Sequence, residues 1–161
     1  MARKKFQSRK ERPEYDQKLL DLARVTRVVK GGRRFRFRAT LVIGNRNGKA
    51  GVGVAKGADV SEAVRKAFND AKKKLILVKR HNSTIACPAE AKVGSAKVML
   101  KPAKPGRGIV AGGSVRAVVE LAGIRDVVSK SMGSSNKLSV ARATLAALEN
   151  VKTLSSREKN M

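Results

Sequence analysis

The sequence has no tryptophan, and one tyrosine and four phenylalanines are its only aromatics. A core must therefore be assembled from Val, Ala, Leu and Ile, and the 42% hydrophobic content is enough to build one, which excludes a fully disordered chain. A single cysteine, Cys87, excludes an internal disulfide and fits a reducing cytosol. With one histidine, His81, beside it, the ligand set of a structural zinc site is missing. Cys87-Pro88 reads as a packed small residue and His81 as a surface group. The acidic residues are few and scattered, with no paired carboxylates for acid–base chemistry. No apolar h-region follows the basic start, so no secretory leader is expected, and no long apolar run suggests a membrane span.

Negative charge is the scarcest commodity. Twelve Asp+Glu face 37 Lys+Arg, a net charge of +25. Self-repulsion on that scale burdens a compact state until a polyanion neutralises it, which makes nucleic acid the expected partner. Residues 1–80 hold 24 Lys+Arg against 7 Asp+Glu, and residues 81–161 hold 13 against 5, so the main cationic face belongs to the first half. From Leu22 to Ala58 there is no acidic residue at all. Arg24, Arg27, Lys30, Arg33, Arg34, Arg36, Arg38, Arg46, Lys49 and Lys56 stand there without compensation in the sequence. A solvated face normally mixes signs, so this run reads as a phosphate-tracking surface.

Periodicity gives the elements. Residues 1–16 are polar, basic and aperiodic, the pattern of an arm that orders on binding. Leu20 to Val29 suits a strand, and Gly31-Gly32 breaks it with a tip slender enough to enter an RNA groove or junction. Arg33 to Ile43 alternates: Arg34, Arg36, Arg38 and Thr40 on one face, Phe35, Phe37, Ala39, Leu41 and Ile43 on the other. Phe35 and Phe37 are thereby expected in the core. Asn47-Gly48 signals a hairpin turn into a glycine-rich strand, Ala50 to Ala55. A helix follows near Asp59, which has capping-box spacing to Glu62. Its stripe is Val60, Ala63, Val64, Ala67, Phe68, Ala71 and Leu75.

The second half restarts with expected strands over 76–86 and 91–101. A basic loop bracketed by Pro102 and Pro105 leads into Gly106-Arg-Gly108-Ile-Val-Ala-Gly112-Gly113. A helix is expected from Ser114 to a glycine stop at Gly123, then a strand at Val127-Val128. Ser134-Ser135-Asn136 open a last helix bearing Leu138, Ala141, Leu145 and Leu148. The organisation is an arm (1–16), two units (17–78 and 79–150) and a polar tail (151–161).

Two stretches imitate nucleotide sites. Gly44-Asn-Arg-Asn-Gly48-Lys49-Ala50 is one residue short of a P-loop, has Ala50 where a Ser or Thr should bind magnesium, and leads into a strand rather than a helix. Gly106-x-Gly108-x-x-x-Gly112 with Asp126 downstream imitates a dinucleotide fingerprint, but the Asp precedes its strand and too little chain remains for a doubly wound sheet. A nucleotide-dependent enzyme and a free RNA-binding protein remain as alternatives to the reading that follows.

The ordered motifs resemble the family of bacterial ribosomal protein five of the small subunit. They are Arg24-Val25 through Val29-Lys30-Gly31-Gly32-Arg33, Phe35-x-Phe37, Gly44-x-x-Asn47-Gly48 through Gly51-x-Gly53, then Gly106-x-Gly108-Ile109-Val110-Ala111-Gly112-Gly113 with Arg116-Ala117-Val118, Ala122-Gly123-Ile124, Gly133-Ser134 and Arg142-Ala143-Thr144. The resemblance spans about residues 17–150. It implies an α+β protein: a double-stranded-RNA-binding-like domain (β-β-β-α), then a small α/β two-layer sandwich with a left-handed β-α-β crossover. It implies a structural, cytoplasmic role in the ribosome with no catalysis, cofactor or metal. Ribosomal RNA, ribosomal proteins four and eight, and nearby mRNA on its way into the subunit are the implied partners. The hairpin from Val29 to Arg33 would reach toward the subunit head near the spectinomycin site. RNA contacts are expected from the ten cations above with Gly31, Gly32 and Asn47. Gly108, Gly112, Gly113 and Arg116 would face protein four, at an interface linked to decoding accuracy.

Overall fold

The computed structural model describes residues 14–151. The expected arm (1–16) and tail (151–161) therefore lie mostly outside the described residues. Within them Tyr15 is already buried and Asp16 already opens a strand.

Among the described residues, two antiparallel-rich sheets and three helices make an α+β fold. Strands β1 (Asp16–Val29), β2 (Gly32–Gly44) and β3 (Lys49–Gly57) form a meander, followed by helix α1 (Val60–Lys73). β4 (Ile76–Leu77) closes this sheet in the order β1-β2-β3-β4. The second sheet runs β5-β6-β8-β7, from β5 (Ala89–Val93), β6 (Ala96–Pro102), β7 (Ile109–Val110) and β8 (Val127–Gly133). β7 pairs parallel with β8, so helix α2 (Gly113–Ala122) is the crossover of a β-α-β unit. Helix α3 (Lys137–Glu149) packs on β5 and β6.

Alternation in β2 holds only for part of its length. From Ala39 onward both faces are buried, Thr40 and Val42 as completely as Leu41 and Ile43. One face carries Leu41 and Ile43 into a core with Ala63, Ala67 and Ala71 of α1. The other carries Val42, with Val52 of β3, into the larger core that contains Val115, Val118, Val127 and Leu148. The first sheet is thus sandwiched between its own helix and the second half of the chain.

The glycine-rich strand is what lets α1 lie close. A Cβ on Gly53 would overlap the carbonyl oxygen of Ala67 and crowd the backbone of Ala71. Alanines on the helix and glycine on the strand bring the two backbones together at van der Waals limits.

Local signals have mixed outcomes. Asp59 is the N-cap of α1, but its side chain makes no cap bond to the helix, and Glu62 reaches one residue beyond a capping box to accept from the Ala58 N–H at 2.8 Å. Asn136 caps α3, its side chain accepting from the Leu138 N–H at 3.1 Å. Gly123 ends α2 with φ +83°, its N–H donating to Glu120 O and that of Ile124 to Val119 O, a Schellman pattern. The strand expected over 76–86 is a two-residue strand on the first sheet followed by a connector. Lys79 to Thr84 is polar and non-alternating and has no face to bury. The single strand expected over 91–101 is a hairpin, turned at Gly94-Ser95 with Gly94 at φ +61°.

Candidate nucleic-acid interface

The β1–β2 hairpin outruns its sheet. β1 and β2 pair from Asp16↔Gly44 to Val29↔Gly32, but β3 joins β2 only from Phe37↔Gly57 inward. Five residues of each strand therefore project as a two-stranded ribbon, roughly 17 Å at the usual rise per residue. Its two-residue turn is Lys30-Gly31, not the expected Gly31-Gly32; Gly32 starts β2 at φ +141°. A Cβ at either glycine would meet nothing within 4 Å among the described residues.

Register sorts the cations. Arg27↔Arg34, Val25↔Arg36 and Arg38↔Lys56 put Arg27, Arg34, Arg36, Arg38 and Lys56 on one face. A groove there is lined by Val25, Arg27, Val29, Arg34, Arg36 and Lys56. Arg24 and Arg33 belong to the opposite face, with Phe35 and Phe37. Arg24, Arg27, Lys30, Arg33, Arg34 and Arg36 are exposed, and none forms an ion pair among the described residues.

Phe35 is not core: it is 46% exposed, and the Arg24 guanidinium stacks over its ring at 3.7 Å. The helix that buries the same face of β2 further along does not reach the ribbon, so periodicity there has no partner layer. Phe37, one step inward, is half-buried against the α1 core.

Two of the ten cations have partners after all. Arg38 lies 3.6 Å from Asp21, and Arg46 is 2.8 Å from Asp16. Both acids come from β1, brought across by strand pairing, which a linear scan for acidic residues does not see. Asp21 also accepts from Lys137 of α3 at 3.0 Å. Lys49 and Lys56 stay exposed and unpaired among the described residues.

The P-loop imitation is a hairpin loop docked on a helix end. Asn45 Oδ1 accepts from the Asn47 and Lys49 N–H groups at 2.8 and 3.0 Å. The Arg46 N–H donates to Leu121 O at 2.9 Å, and that of Gly48 to Ala122 O at 3.0 Å. Arg80 donates to Asn47 Oδ1 at 2.7 Å and to Gly123 O at 3.2 Å. Its backbone donors and the Asn47 side chain are thus used inside the protein.

The second glycine motif is likewise filled from within. Asp126, buried, accepts from the Gly108 N–H at 2.8 Å. That bond, then the Ser83 hydroxyl, hold its carboxyl below the ordinary aspartate range. The acid that imitated a ribose ligand is a clamp on its own loop. Gly108 takes φ +76° for the turn. Gly112 and Gly113 have ordinary φ, are exposed, and a Cβ on either would meet nothing within 4 Å among the described residues. Arg116, exposed beside them, donates to Ile109 O at 3.2 Å. Of the four residues expected at a protein interface, Gly112, Gly113 and Arg116 are exposed at the start of α2, and Gly108 is half-buried in the loop before β7.

A cleft between these two regions was not anticipated. Arg46, Arg80, Asn82, Arg116, Glu120 and Arg125 contribute to its walls. Arg80 and Arg125 carry no strong sequence signal: one sits in a short basic run and the other follows a helix stop. Among the described residues there is no group of three or more His, Cys, Asp or Glu placed to hold a metal ion, and no helix long and apolar enough to cross a membrane.

An α+β body with a projecting cationic ribbon fits the class of nucleic-acid-binding proteins. The comparisons give the family. Residues 15–79 match the family described as ribosomal protein S5, N-terminal domain, and residues 91–160 match ribosomal protein S5, C-terminal domain. Proteins named "Small ribosomal subunit protein uS5" from Campylobacter jejuni strains 81-176 and RM1221 are each 50% identical over 141 residues, 88% of this chain and 96% of theirs. The chain belongs to the ribosomal protein S5 family, whose members are structural ribosomal proteins rather than enzymes.

Proposed function

We propose that this chain is a structural constituent of the small ribosomal subunit, where its β1–β2 ribbon binds ribosomal RNA. The observation that carries the reading is the ribbon itself: Arg27, Lys30, Arg33, Arg34 and Arg36 on the two strands and turn that project past the sheet, with Arg24 at its base, all exposed and without an ion pair among the described residues. Cations on a flexible arm lose conformational freedom on binding, whereas strand pairing fixes the spacing of these before RNA arrives. Arg27, Arg34, Arg36 and Lys56 meet converging phosphates on one face, and Arg24 and Arg33 meet them on the other. Gly31 and Gly32 keep the tip narrow. Arg46 and Asn47, engaged within the protein, seat the opposite end of the sheet on α2.

The finer placement follows the family resemblance. The ribbon stabilises the head of the subunit relative to its body, near the path by which mRNA enters. Proteins four and eight are neighbours, and the surface of Gly108, Gly112, Gly113 and Arg116 meets protein four and contributes to translational accuracy. Openness at Gly112 and Gly113 supports this, since neither backbone angle nor internal packing requires glycine there. Division into units 17–78 and 79–150 is supported by the sheets, which part between β4 and β5. The localisation that follows is the cytoplasmic ribosome.

Replacing Arg27, Lys30, Arg33 and Arg34 together by Ala tests the ribbon. Reduced incorporation into small subunits with an unchanged melting temperature is expected. Normal incorporation and an unchanged head position would reject the reading.

A further inference from the structure

The ribbon stands out from the body on two strands, so its direction is fixed only at its base. We propose that Asp21 is a positioning residue for the ribbon: its carboxylate, held between Arg38 of β2 and Lys137 of α3, sets the angle at which the ribbon leaves the body. That this angle serves RNA binding rests on the ribosomal-RNA reading above.

An irregularity of β1 puts Asp21 in place. Leu19 pairs with Leu41 and Asp21 with Thr40, so Leu20 is an extra residue, a β-bulge. In an uninterrupted register Asp21 would stand opposite Ala39, which is buried in the core against α1. The bulge turns it to the other face of the sheet, the one that carries Val42 into the larger core, and Leu20 packs against that same core. Re-aiming one side chain in this way is a known use of bulges beside functional elements.

On that face Asp21 meets cations from both units. One carboxylate oxygen lies 3.6 Å from the Arg38 guanidinium, and the other 3.0 Å from Lys137 Nζ. Arg38 stands directly opposite Lys56, one pair inward from the place where β3 stops supporting β2. Like charges so placed repel. Arg38 is half-buried, and its Nε, buried, has no hydrogen-bond partner among the described residues. A guanidinium in that position depends on the anion it has. Lys137 is the first residue of α3, where a cation opposes the helix dipole, and the first turn of α3 holds no acid of its own. Asp21 supplies that negative charge from β1. All three side chains are partly exposed, so the pairs contribute little to overall stability. Their effect is geometric. Over roughly 17 Å of ribbon, a tilt of about 10° at the base moves the tip by about 3 Å. That displacement is enough to take a donor out of hydrogen-bond reach of its acceptor. The competing role is a counter-ion that only lowers the repulsion among its neighbours.

The test measures, in the full chain without RNA, the distance distribution between spin labels at the ribbon tip and on the second sheet. The labels are introduced as Gly31→Cys and Lys130→Cys in a Cys87→Ser background. A Cβ on Gly31 would meet nothing within 4 Å among the described residues, and Lys130 is exposed. Asp21→Asn should widen or shift the distribution by about 3 Å. Lys137→Gln should do the same, and the two together should do no more than either alone. If Asp21→Asn melts early, Lys137→Gln, at an exposed position, carries the test. Binding to transcribed small-subunit ribosomal RNA gives a second readout, because the two roles predict opposite signs. Removing a mere counter-ion leaves the chain one charge more positive and tightens binding. Removing a positioning acid weakens it by about two- to fivefold. An unchanged distance distribution in Asp21→Asn, or tighter RNA binding, overturns the proposal and leaves the ribbon reading intact. A distribution that responds to Asp21→Asn but not to Lys137→Gln overturns the tie to α3. A distribution that responds to both, with normal RNA binding when Arg27, Lys30, Arg33 and Arg34 are all Ala, supports the brace and rejects the RNA reading, so the two fail separately.

Discussion

The carbonyl oxygen of Arg46, in the β2–β3 loop, occupies the space in which a side chain on Gly123, at the end of α2, would begin. The loop's N–H groups donate to Leu121 and Ala122, so the first sheet is seated on a helix terminus of the second unit by backbone contact. Gly123→Ala should cost about 2–4 kcal/mol, the sum of a left-handed conformation and an overlap with backbone that has little room to retreat. Chemical denaturation checks this. A loss below about 0.5 kcal/mol, the range of an inert surface change, would show that the joint yields.

Gly113 is the converse case. It is the first residue of α2, exposed, with ordinary φ and open space at its Cβ. Alanine there should leave isolated stability unchanged or raise it by up to about 1 kcal/mol. Incorporation into small subunits should nevertheless fall if, as proposed, a neighbour packs on the bare backbone. Normal incorporation of a Gly113→Ala chain would remove the interface.

Gly53→Ala should be among the most damaging single changes in the first unit, about 3 kcal/mol or more, since its Cβ collides with α1 backbone at Ala67 and Ala71. By contrast, Phe35→Leu should stay within about 1 kcal/mol, because the ring is 46% exposed, whereas Leu41→Ala should cost about 2–5 kcal/mol. Thermal melts of the three variants give the order directly. A Phe35 change as costly as the Leu41 change would mean that the ribbon folds back onto the body.

Asp126 should make the glycine loop pH-sensitive. Its carboxyl is held below the ordinary aspartate range by the Gly108 N–H and the Ser83 hydroxyl. A lowered folded-state value contributes stability that is fully present above the unfolded value and is lost as pH falls through the folded one. Acidification below about pH 4, the usual aspartate range, should therefore speed amide exchange at Gly106 and Gly108 before global unfolding. Asp126→Asn should show the fast exchange already at neutral pH. Exchange at Gly108 that is the same in wild type and variant would mean that the clamp does not hold the loop.

The sequence made the order of the first unit legible where an element shows a local period. Arg34, Arg36 and Arg38 against Leu41 and Ile43, and the stripe from Ala63 to Ala71, need only local periodicity. What it obscured depends on partners distant along the chain. Thr40 and Val42 are buried because the second unit covers that side. Phe35 is exposed because α1 does not extend far enough to cover it. Asp16 and Asp21 neutralise Arg46 and Arg38 only once β1 pairs with β2. Arg80 and Arg125 come to one cleft only when the two sheets meet. The ribbon was therefore readable from spacing, and the cleft was not.

Fractionation of a native cell extract on a sucrose gradient in moderate salt, probing for this protein, is the most direct test of the central claim. Stoichiometric co-sedimentation with small subunits that survives a salt wash is the expected result. A peak at the top of the gradient would contradict it, and would leave the ribbon as the RNA-binding surface of a protein that acts outside the ribosome.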